Sequence, residues 1–404
     1  MYILGIWDGH DSGAALIEGN KILFAANEER YTKRKLEVSF PFNSIKSAVE
    51  HAGIKYSDIE IVAFPTYDFT KTMSRVFPYQ KEKYYKLRRR KLAQSGIEGI
   101  MYKTRQLQYR LKYLSNMVGV LPFCKEISTF CIKRALAHIG IKPKKIIPVE
   151  HHVAHASTAA FCSRMKKSLV VTLDGYGDGL CGSVSTFEGG ELKREMSIPA
   201  RNSIGILYEQ VTNLVGMREL EDEGKVMAMS CYSFPFSFKD NKLKDLFEIN
   251  GTKMYAKYNA VKQYGILEGL SWSTPREQFA YFAQQLLEYV LQEFFTALIE
   301  EYGIRNFSLA GGVFSNVKGN MKIRMIKELK DWFVFPHMGD GGIALGSALY
   351  ANYKENGITN YSFNDVYLGD KFSDEEVTKA LKERGMSFEE EKDKAKRAAE
   401  LIED

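Results

Sequence analysis

The stretch YILGIWDGHDSGAALIEGNKILFAANEE, residues 2–29, decides the predicted fold. It has the pattern of three short strands joined by an Asp-Gly turn and a Glu-Gly-Asn turn. A similar arrangement returns in SLVVTLDGYGDGLCGSVSTFEGGELKREMSI, residues 168–198, where LDGYGDG takes the place of WDGHDSG between the first and second strands. The repetition predicts two similar α/β lobes that face each other across a cleft.

Glycine-rich turns follow two later strands as well. NFSLAGGVFSN, residues 306–316, is predicted to be a buried strand that ends in Gly311 and Gly312, and DWFVFPHMGDGGIALGSALY, residues 331–350, a strand, a GDGG loop and a helix. Open α/β sheets bind ligands at the carboxyl ends of strands, and glycine lets backbone N–H groups approach phosphate oxygens. One Gly-Gly pair alone indicates only a tight turn, but four such loops, three of them with an aspartate, favour a phosphate-binding cleft.

A long amphipathic helix is predicted over TPREQFAYFAQQLLEYVLQEFFTALIEEYG, residues 274–303. Thr274 and Glu277 have the spacing of a capping box, Pro275 stands at the first helical position, and Gly303 ends the pattern.

Residues 66–145 interrupt the strand pattern with helical, basic and aromatic sequence, including QKEKYYKLRRRKL (80–92) and KTRQLQYRLKYL (103–114). A solvated helical face is the usual explanation; a grip on nucleic acid and a frame around a second substrate are the alternatives. The 56 Lys and Arg against 50 Asp and Glu leave a net charge of only +6. That excess is too small to imply nucleic acid by itself, so nucleic acid is not an expected partner.

The segment HHVAH, residues 151–155, holds three of the seven histidines. His151 and His155 are four residues apart, so a helix presents both rings on one face, a common way to offer two nitrogens to one metal ion. Ordinary surface or core histidines are the alternative for an isolated pair. The segment is not the H-E-x-x-H of a zinc protease, because it lacks the glutamate.

The five cysteines show no C-x-x-C spacing, and their odd number favours free thiols in a reducing compartment. Strand-like sequence begins at Tyr2 without a signal-peptide pattern, and no apolar run is long enough to span a bilayer. We therefore expect a cytoplasmic protein without a membrane partner.

Eight stretches follow one another across almost the whole of residues 1–355. They are GIWDGHDSGAALI, NEERYTKRKLEVSFP, EHHVAHASTAAF, LDGYGDG, SIGILYEQVTNLVG, EGKVMAMS, LAGGVFSNVKGN and FPHMGDGGIALGSAL. This ordered set resembles the O-carbamoyltransferase family that includes NodU-type nodulation proteins and the tobramycin and cephamycin carbamoyltransferases. The resemblance implies transfer of a carbamoyl group from carbamoyl-adenylate, made from carbamoyl phosphate and ATP, to a hydroxyl of a small-molecule or sugar acceptor.

The resemblance also implies an α/β structure with the actin-like ATPase fold, as in the tRNA threonylcarbamoyladenosine transferase that the family's N-terminal part resembles. The first lobe is expected at 1–165 with the helical basic insertion 66–145, and the second at 166–355, with the nucleotide cleft between them. Residues 356–404 are expected to begin a truncated C-terminal domain, whose leading strand and first helix match VYLGDKFSDEEVTKALKERG (366–385).

Site residues are carried over only at matching positions. The implied metal ligands, with iron favoured over manganese or zinc, are His151, His155, Asp174 and Asp340, while His152 points elsewhere. The residues implied to contact ATP or carbamoyl-adenylate are Gly175, Gly177, Lys225, Gly311, Gly312 and Asn316, of which Gly312 and Asn316 hold adenosine. The implied catalytic residues are His10, Asp11 and Lys35. We expect His10 to be the general base and Lys35 an electrostatic clamp on developing charge.

The absent C-terminal domain would be an adenylate-forming partner in cis or in trans, because this chain by itself is not expected to make its activated donor. A homodimer is a further expectation. Two alternatives stay open: a tRNA threonylcarbamoyladenosine-type transferase, and a non-catalytic nucleotide-binding subunit of a split enzyme. A small-molecule kinase would need no paired histidines, because Mg²⁺ prefers oxygen ligands.

Overall fold

The computed structural model describes residues 1–88 and 118–403. It divides into two compact units, Met1–Leu368 and Gly369–Asp404. The predicted domain limits at 165 and 355 stay predictions. Residues 89–117 of the predicted insertion, with KTRQLQYRLKYL, lie outside the described residues.

The first sheet has five strands in the order β3-β2-β1-β4-β5. The first three are antiparallel neighbours, and β4 and β5 continue the sheet in parallel with β1. These strands confirm the three predicted over residues 2–29 and add two that follow helical crossovers. Their bounds are β1 Tyr2–Trp7, β2 Gly13–Glu18, β3 Lys21–Asn27, β4 Ile59–Pro65 and β5 Lys145–Val149.

The second sheet repeats this order. Its bounds are β6 Lys167–Gly177, β7 Leu180–Glu188, β8 Glu191–Pro199, β11 Asn306–Ala310 and β12 Asp331–Val334, with a separate hairpin of β9 Phe247–Asn250 and β10 Lys253–Ala256. The strands are ordered β8-β7-β6-β11-β12, antiparallel from β8 to β6 and parallel from β6 to β12. Two sheets with one topology in a single chain confirm the predicted duplication and give the chain an actin-like ATPase fold.

Helices flank both sheets. In the first unit they are α1 Glu29–Thr32, α2 Phe42–Ala52, α3 Phe69–Val76, α4 Pro78–Arg88, α5 Cys124–His138, α6 His151–Cys162, α7 Ile204–Leu214, α8 Glu223–Met229, α9 Ala260–Trp272, α10 Arg276–Tyr302, α11 Val317–Arg324 and α12 Ile343–Asn356. In the second unit they are α13 Asp374–Glu383 and α14 Lys394–Glu403. Within residues 1–88 and 118–403, no helix is both long and apolar enough to cross a membrane.

Helices α6 and α12 pack together between the two sheets, where Ile3, Ala154, Val170 and Ala348 belong to one buried core. The packing is close because Gly346 has no side chain: a β-carbon there would lie 2.0 Å from the carbonyl oxygen of Ala154. This arrangement brings the first turn of α6 beside the turn that precedes α12. The fold therefore places His151 and Asp340 at the same point.

Two local predictions were wrong. The long helix α10 has Pro275 as its N-cap, with no side-chain cap hydrogen bond. The Thr274 hydroxyl is buried without a hydrogen-bond partner, so the predicted capping box does not form. Gly303, at φ 63°, ends α10 as expected. Residues 366–373 contain no strand, although α13 forms where the first helix after it was predicted.

Candidate metal centre and adjoining cavities

Two histidines and two aspartates from three parts of the fold form one cluster. His151 and His155 lie in the first turns of α6, Asp174 near the end of β6, and Asp340 in the turn before α12. One ligand atom from each of the four lies within 4.8 Å of the others. Nε2 of His151 and of His155 lie 3.3 and 3.2 Å from Asp174 Oδ2, and 3.6 and 3.4 Å from Asp340 Oδ1.

The chemistry of this cluster suits a transition metal. Both imidazoles are 1% exposed, and they present Nε2 to the same two carboxylates. Mixed imidazole and carboxylate ligation fits iron, manganese or zinc, and the donor set itself does not choose among them. The four residues that the sequence resemblance implied are therefore brought together with ligand atoms converging on one point.

Charges and hydrogen bonds within the cluster shift the pKa values of His151 and Asp174. Burial by itself would lower the pKa of His151, but the charge of Asp340 and the hydrogen bond that His151 donates to Asp174 raise that pKa to about 10. Burial would also raise the pKa of Asp174, yet hydrogen bonds from His151 and His155 hold it well below the usual range. The two carboxylates thus favour positive charge at this point, which is the environment that a bound cation requires.

Asp178 belongs to this region and was missed from the sequence. Its carboxylate accepts backbone N–H bonds from Tyr67 and His151, both 2.8 Å long, and so fixes the start of α6. Burial, followed by the charge of Asp68, raises its pKa to about 7. Asp178 is the second aspartate of LDGYGDG, and this position in the motif was the sequence feature that could have indicated its role. His152 turns away as expected, with its Nδ1 3.0 Å from the Thr172 hydroxyl.

A first cavity of about 320 Å³ opens on one side of the cluster. Its wall combines the glycine-rich turns with apolar side chains from the second lobe, and it carries the carboxylates of Glu209 and Glu223. The lining includes Gly175, Tyr208, Leu287, Gly312, Val313 and Asn316. Backbone at glycine turns and an apolar slot are the features that a nucleotide's phosphates and base require.

A second cavity of about 620 Å³ lies on the other side of the cluster. Its walls include α3 and α4 of the predicted insertion, the end of β1 with the loop after it, and the end of β6. Aromatic and apolar lining is supplied by Trp7, Met73, Phe77, Tyr85 and Tyr176. The insertion therefore frames a pocket, which was one of the three explanations that its sequence allowed.

The two cavities meet at the cluster. Six residues line both of them: His10, Asp174, Gly175, Glu209, Leu220 and Asp340. A molecule in either cavity can therefore reach Asp174 and Asp340, the two aspartates of the cluster.

The predicted nucleotide residues divide into two groups. Gly175, Gly312 and Asn316 line the first cavity, and a β-carbon at Gly312 would lie 2.8 Å from Asp174 Oδ1. Gly311, at φ 111°, instead lets two strand ends approach, because a β-carbon there would lie 2.2 Å from the Leu173 carbonyl oxygen. Gly177 packs on His151.

Two predicted lysines lie outside the cavity linings. Lys225 is exposed on α8 and pairs with Asp222 Oδ1 at 2.7 Å, although its neighbour Gly224 lines the first cavity. Lys35 is exposed on the loop after α1, where Leu36 reaches the same cavity. The described cavity walls therefore do not include either ammonium group.

His10 and Asp11 have different partners. His10 Nε2 lies 3.6 Å from Asp340 Oδ2, and its Nδ1 lies 3.5 Å from the Tyr85 hydroxyl in the second cavity. Asp11 accepts a 2.8 Å hydrogen bond from the Asn27 amide and lies 3.4 Å from His337 Nε2 at the first cavity. His10 thus lies beside the cluster of candidate metal ligands, whereas Asp11 lies at the rim of the first cavity.

Asp8 occupies the place in the first lobe that Asp174 holds in the second. It is buried, and its carboxylate receives two hydrogen bonds from Arg75, 3.0 and 2.9 Å long, and an ion pair from Lys71 at 2.9 Å. Lys81 donates to the Asp8 carbonyl oxygen over 2.9 Å. Three cations of the basic insertion are therefore used inside the protein to fix α3 and α4.

Comparison with known proteins identifies the family. The carbamoyltransferase N-terminus family matches residues 2–349. The chain is 28% identical over 405 residues to the nodulation protein NolNO of Sinorhizobium fredii, which covers 98% of this chain and 54% of NolNO. It is 27% identical over 391 residues to an uncharacterized protein of Methanocaldococcus jannaschii, covering 94% of this chain and 62% of that protein.

An actin-like ATPase fold with a cluster of two histidines and two aspartates defines the class of protein. The chain belongs to the carbamoyltransferase family, in the part that forms its N-terminus. It spans less than two thirds of the length of the two relatives above. HypF of T. kodakarensis superposes with a TM-score of 0.48 at 11% identity, over 88% of this chain and 48% of that one.

Proposed function

We propose that this chain transfers a carbamoyl group from carbamoyl-adenylate to a hydroxyl of a small-molecule acceptor, assisted by a divalent metal. The observation that supports the proposal is the junction of the two cavities at the histidine and aspartate cluster. A transferase needs two substrates to meet at one reacting carbon, and proximity of that kind supplies much of the rate.

The first cavity suits the donor. Its glycine turns offer backbone N–H groups to the phosphate, and Tyr208, Leu287 and Val313 offer apolar surface to adenine. The carboxylates of Glu209 and Glu223 can accept hydrogen bonds from ribose hydroxyls. Bound in this way, the carbamoyl end of the donor points to the residues shared by both cavities.

The second cavity suits the acceptor, and His10 suits the role of general base. If Asp340 Oδ2 accepts the Nε2–H of His10, the remaining lone pair is on Nδ1, which faces Tyr85 in the acceptor cavity. An acceptor hydroxyl there can give its proton to Nδ1 while its oxygen attacks the carbamoyl carbon. The bond from that carbon to the phosphate oxygen then breaks, and AMP leaves.

The metal would be held by Nε2 of His151 and His155 and by carboxylate oxygens of Asp174 and Asp340. Iron is the ion we favour, with manganese and zinc as alternatives. When bound, such an ion supplies Lewis-acid polarisation of a carbonyl or phosphoryl oxygen. Donor synthesis from carbamoyl phosphate and ATP is assigned to a further domain, in cis or in trans.

The test is elemental analysis of anaerobically purified protein beside two double variants. His151→Ala with His155→Ala should lose near-stoichiometric metal and should fail to release AMP from supplied carbamoyl-adenylate with a panel of hydroxyl acceptors. The control variant, His51→Ala with His138→Ala, changes two exposed histidines and should keep both the metal content and the AMP release of the parent. A parent protein that binds no metal, or a metal-loaded parent that consumes no donor with any acceptor, would contradict the proposal.

A further inference from the structure

His151 has a hydrogen-bond partner on the side away from the aspartates. The Thr66 hydroxyl oxygen lies 2.8 Å from His151 Nδ1, and the two residues are 4% and 1% exposed. Nε2 of the same ring faces Asp174 and Asp340. The imidazole is thus held at both nitrogens, by a hydroxyl on one side and by carboxylates on the other.

Thr66 adopts a backbone conformation that its side chain disfavours. It follows β4 with φ 63°, in the left-handed region that β-branched residues rarely enter. Such strain persists only where the surrounding structure enforces it, and it concentrates at functional sites. A glycine or asparagine would adopt this backbone more easily, so the reason for threonine lies in its side chain.

Arg75 enforces the conformation of Thr66. One guanidinium nitrogen donates to the Thr66 carbonyl oxygen over 2.5 Å, another donates to the Pro65 carbonyl oxygen over 3.0 Å, and the group is anchored on Asp8. The Thr66 N–H donates to the Val149 carbonyl oxygen over 3.0 Å. Backbone contacts on both sides thus direct the hydroxyl at His151.

We propose that Thr66 is a positioning residue that fixes His151 in its metal-binding tautomer. A histidine that binds metal through Nε2 carries its proton on Nδ1, and that N–H needs an acceptor. In this buried place the Thr66 hydroxyl is the acceptor. The inference rests on the proposed metal centre, and it assigns Thr66 no contact with the ion.

The test compares Co²⁺ affinity, read from visible absorption, across variants of the metal-free full chain. Thr66→Val keeps the shape but removes the acceptor, so the dissociation constant should rise about 10- to 100-fold. Thr66→Ser keeps the hydroxyl and should stay within about 3-fold of the parent. Thr66→Gly relieves the positive φ and also lacks the acceptor, so it should bind weakly even if the valine variant does not fold.

Thr72→Val is the matched control. Thr72 is fully buried, and its hydroxyl contacts Ser128 at 2.9 Å and the carbonyl oxygens of Tyr67 and Cys124 at 3.3 Å. None of these partners is one of the four candidate metal ligands. Loss of the Thr72 hydroxyl should lower the thermal stability of the protein and leave its Co²⁺ affinity unchanged. Parent-like affinity in a folded Thr66→Val or Thr66→Gly variant would overturn the role of Thr66 alone. A parent that binds no Co²⁺, Fe²⁺ or Zn²⁺ would overturn both this role and the metal centre.

Discussion

Gly177 lies directly against the imidazole of His151, since a β-carbon at Gly177 would stand 2.2 Å from His151 Cγ. Gly177, which matched a nucleotide-binding position of the family, therefore leaves space for the ring of His151, a candidate metal ligand. Gly175, two residues earlier, has room: its β-carbon would lie 3.7 Å from the Ile206 side chain, an ordinary contact. The two glycines of this motif are thus under different steric constraints: a side chain fits at Gly175 but not at Gly177.

The first prediction concerns these two glycines. Gly177→Ala should displace the His151 ring and weaken metal binding by about tenfold or more, because ligand atoms must hold their geometry. Gly175→Ala should retain parent-like metal affinity. Titration of both variants with Co²⁺ checks this, and equal affinities would show that the ring at 151 can move without cost.

The second prediction concerns His10. His10→Asn should reduce AMP release from carbamoyl-adenylate by about two orders of magnitude or more, because an amide cannot take the acceptor's proton. Metal content should be unchanged, since His10 is outside the four-residue cluster. The exposed His51→Asn variant is the control and should match the parent. Near-normal turnover by His10→Asn would rule out the base assignment.

Much of the fold was readable from sequence because it rests on local patterns. Asp-Gly and Glu-Gly turns between apolar runs specify hairpins, and their repetition specifies the second lobe. His151 and His155 lie one helical turn apart, so their common direction also follows from spacing. These features need no knowledge of distant partners.

The rest of the site depends on contacts between distant residues. Thr66 lies 85 positions from His151, and its role comes from a positive φ that Arg75 imposes. The basic composition of the insertion did not reveal that Arg75, Lys71 and Lys81 converge on Asp8. Tertiary partners of this kind leave no periodic signal in one sequence.

Asn316 provides the third prediction. Its side-chain oxygen accepts the Gly319 N–H over 2.8 Å at the start of α11, and its amide pairs with the Gln284 amide through bonds of 3.0 and 2.8 Å. Asn316→Ala should therefore lower the free energy of unfolding by about 2 kcal/mol, from the lost cap and the unpaired buried amide. Urea unfolding measures this loss.

Asn316→Asp is the control for that change. It keeps a cap acceptor for Gly319 but cannot donate to Gln284, so it should lose less stability than the alanine variant at neutral pH. An Asn316→Ala protein with parent-like stability and weakened AMP binding would instead support the adenosine contact implied by the family resemblance.

The fourth prediction follows from the buried ammonium of Lys71. Burial, opposed by Asp8 and reinforced by Arg75 and Lys81, lowers its pKa from 10.5 to about 7. Between these values the unfolded chain binds a proton that the folded chain does not, so this group makes the free energy of unfolding rise with pH and fall again on acidification towards 7. Lys71→Met should remove this contribution to the pH dependence of the free energy of unfolding.

Urea unfolding at pH 7, 8, 9 and 10 checks the Lys71 prediction. The difference between parent and Lys71→Met should change steadily over this range in favour of the parent, because only the parent has a lysine that binds a proton in the unfolded chain and not in the folded one. The exposed Lys225→Met variant should track the parent. A difference that stays constant from pH 7 to pH 10 would mean that Lys71 remains charged, held by Asp8 in spite of its burial.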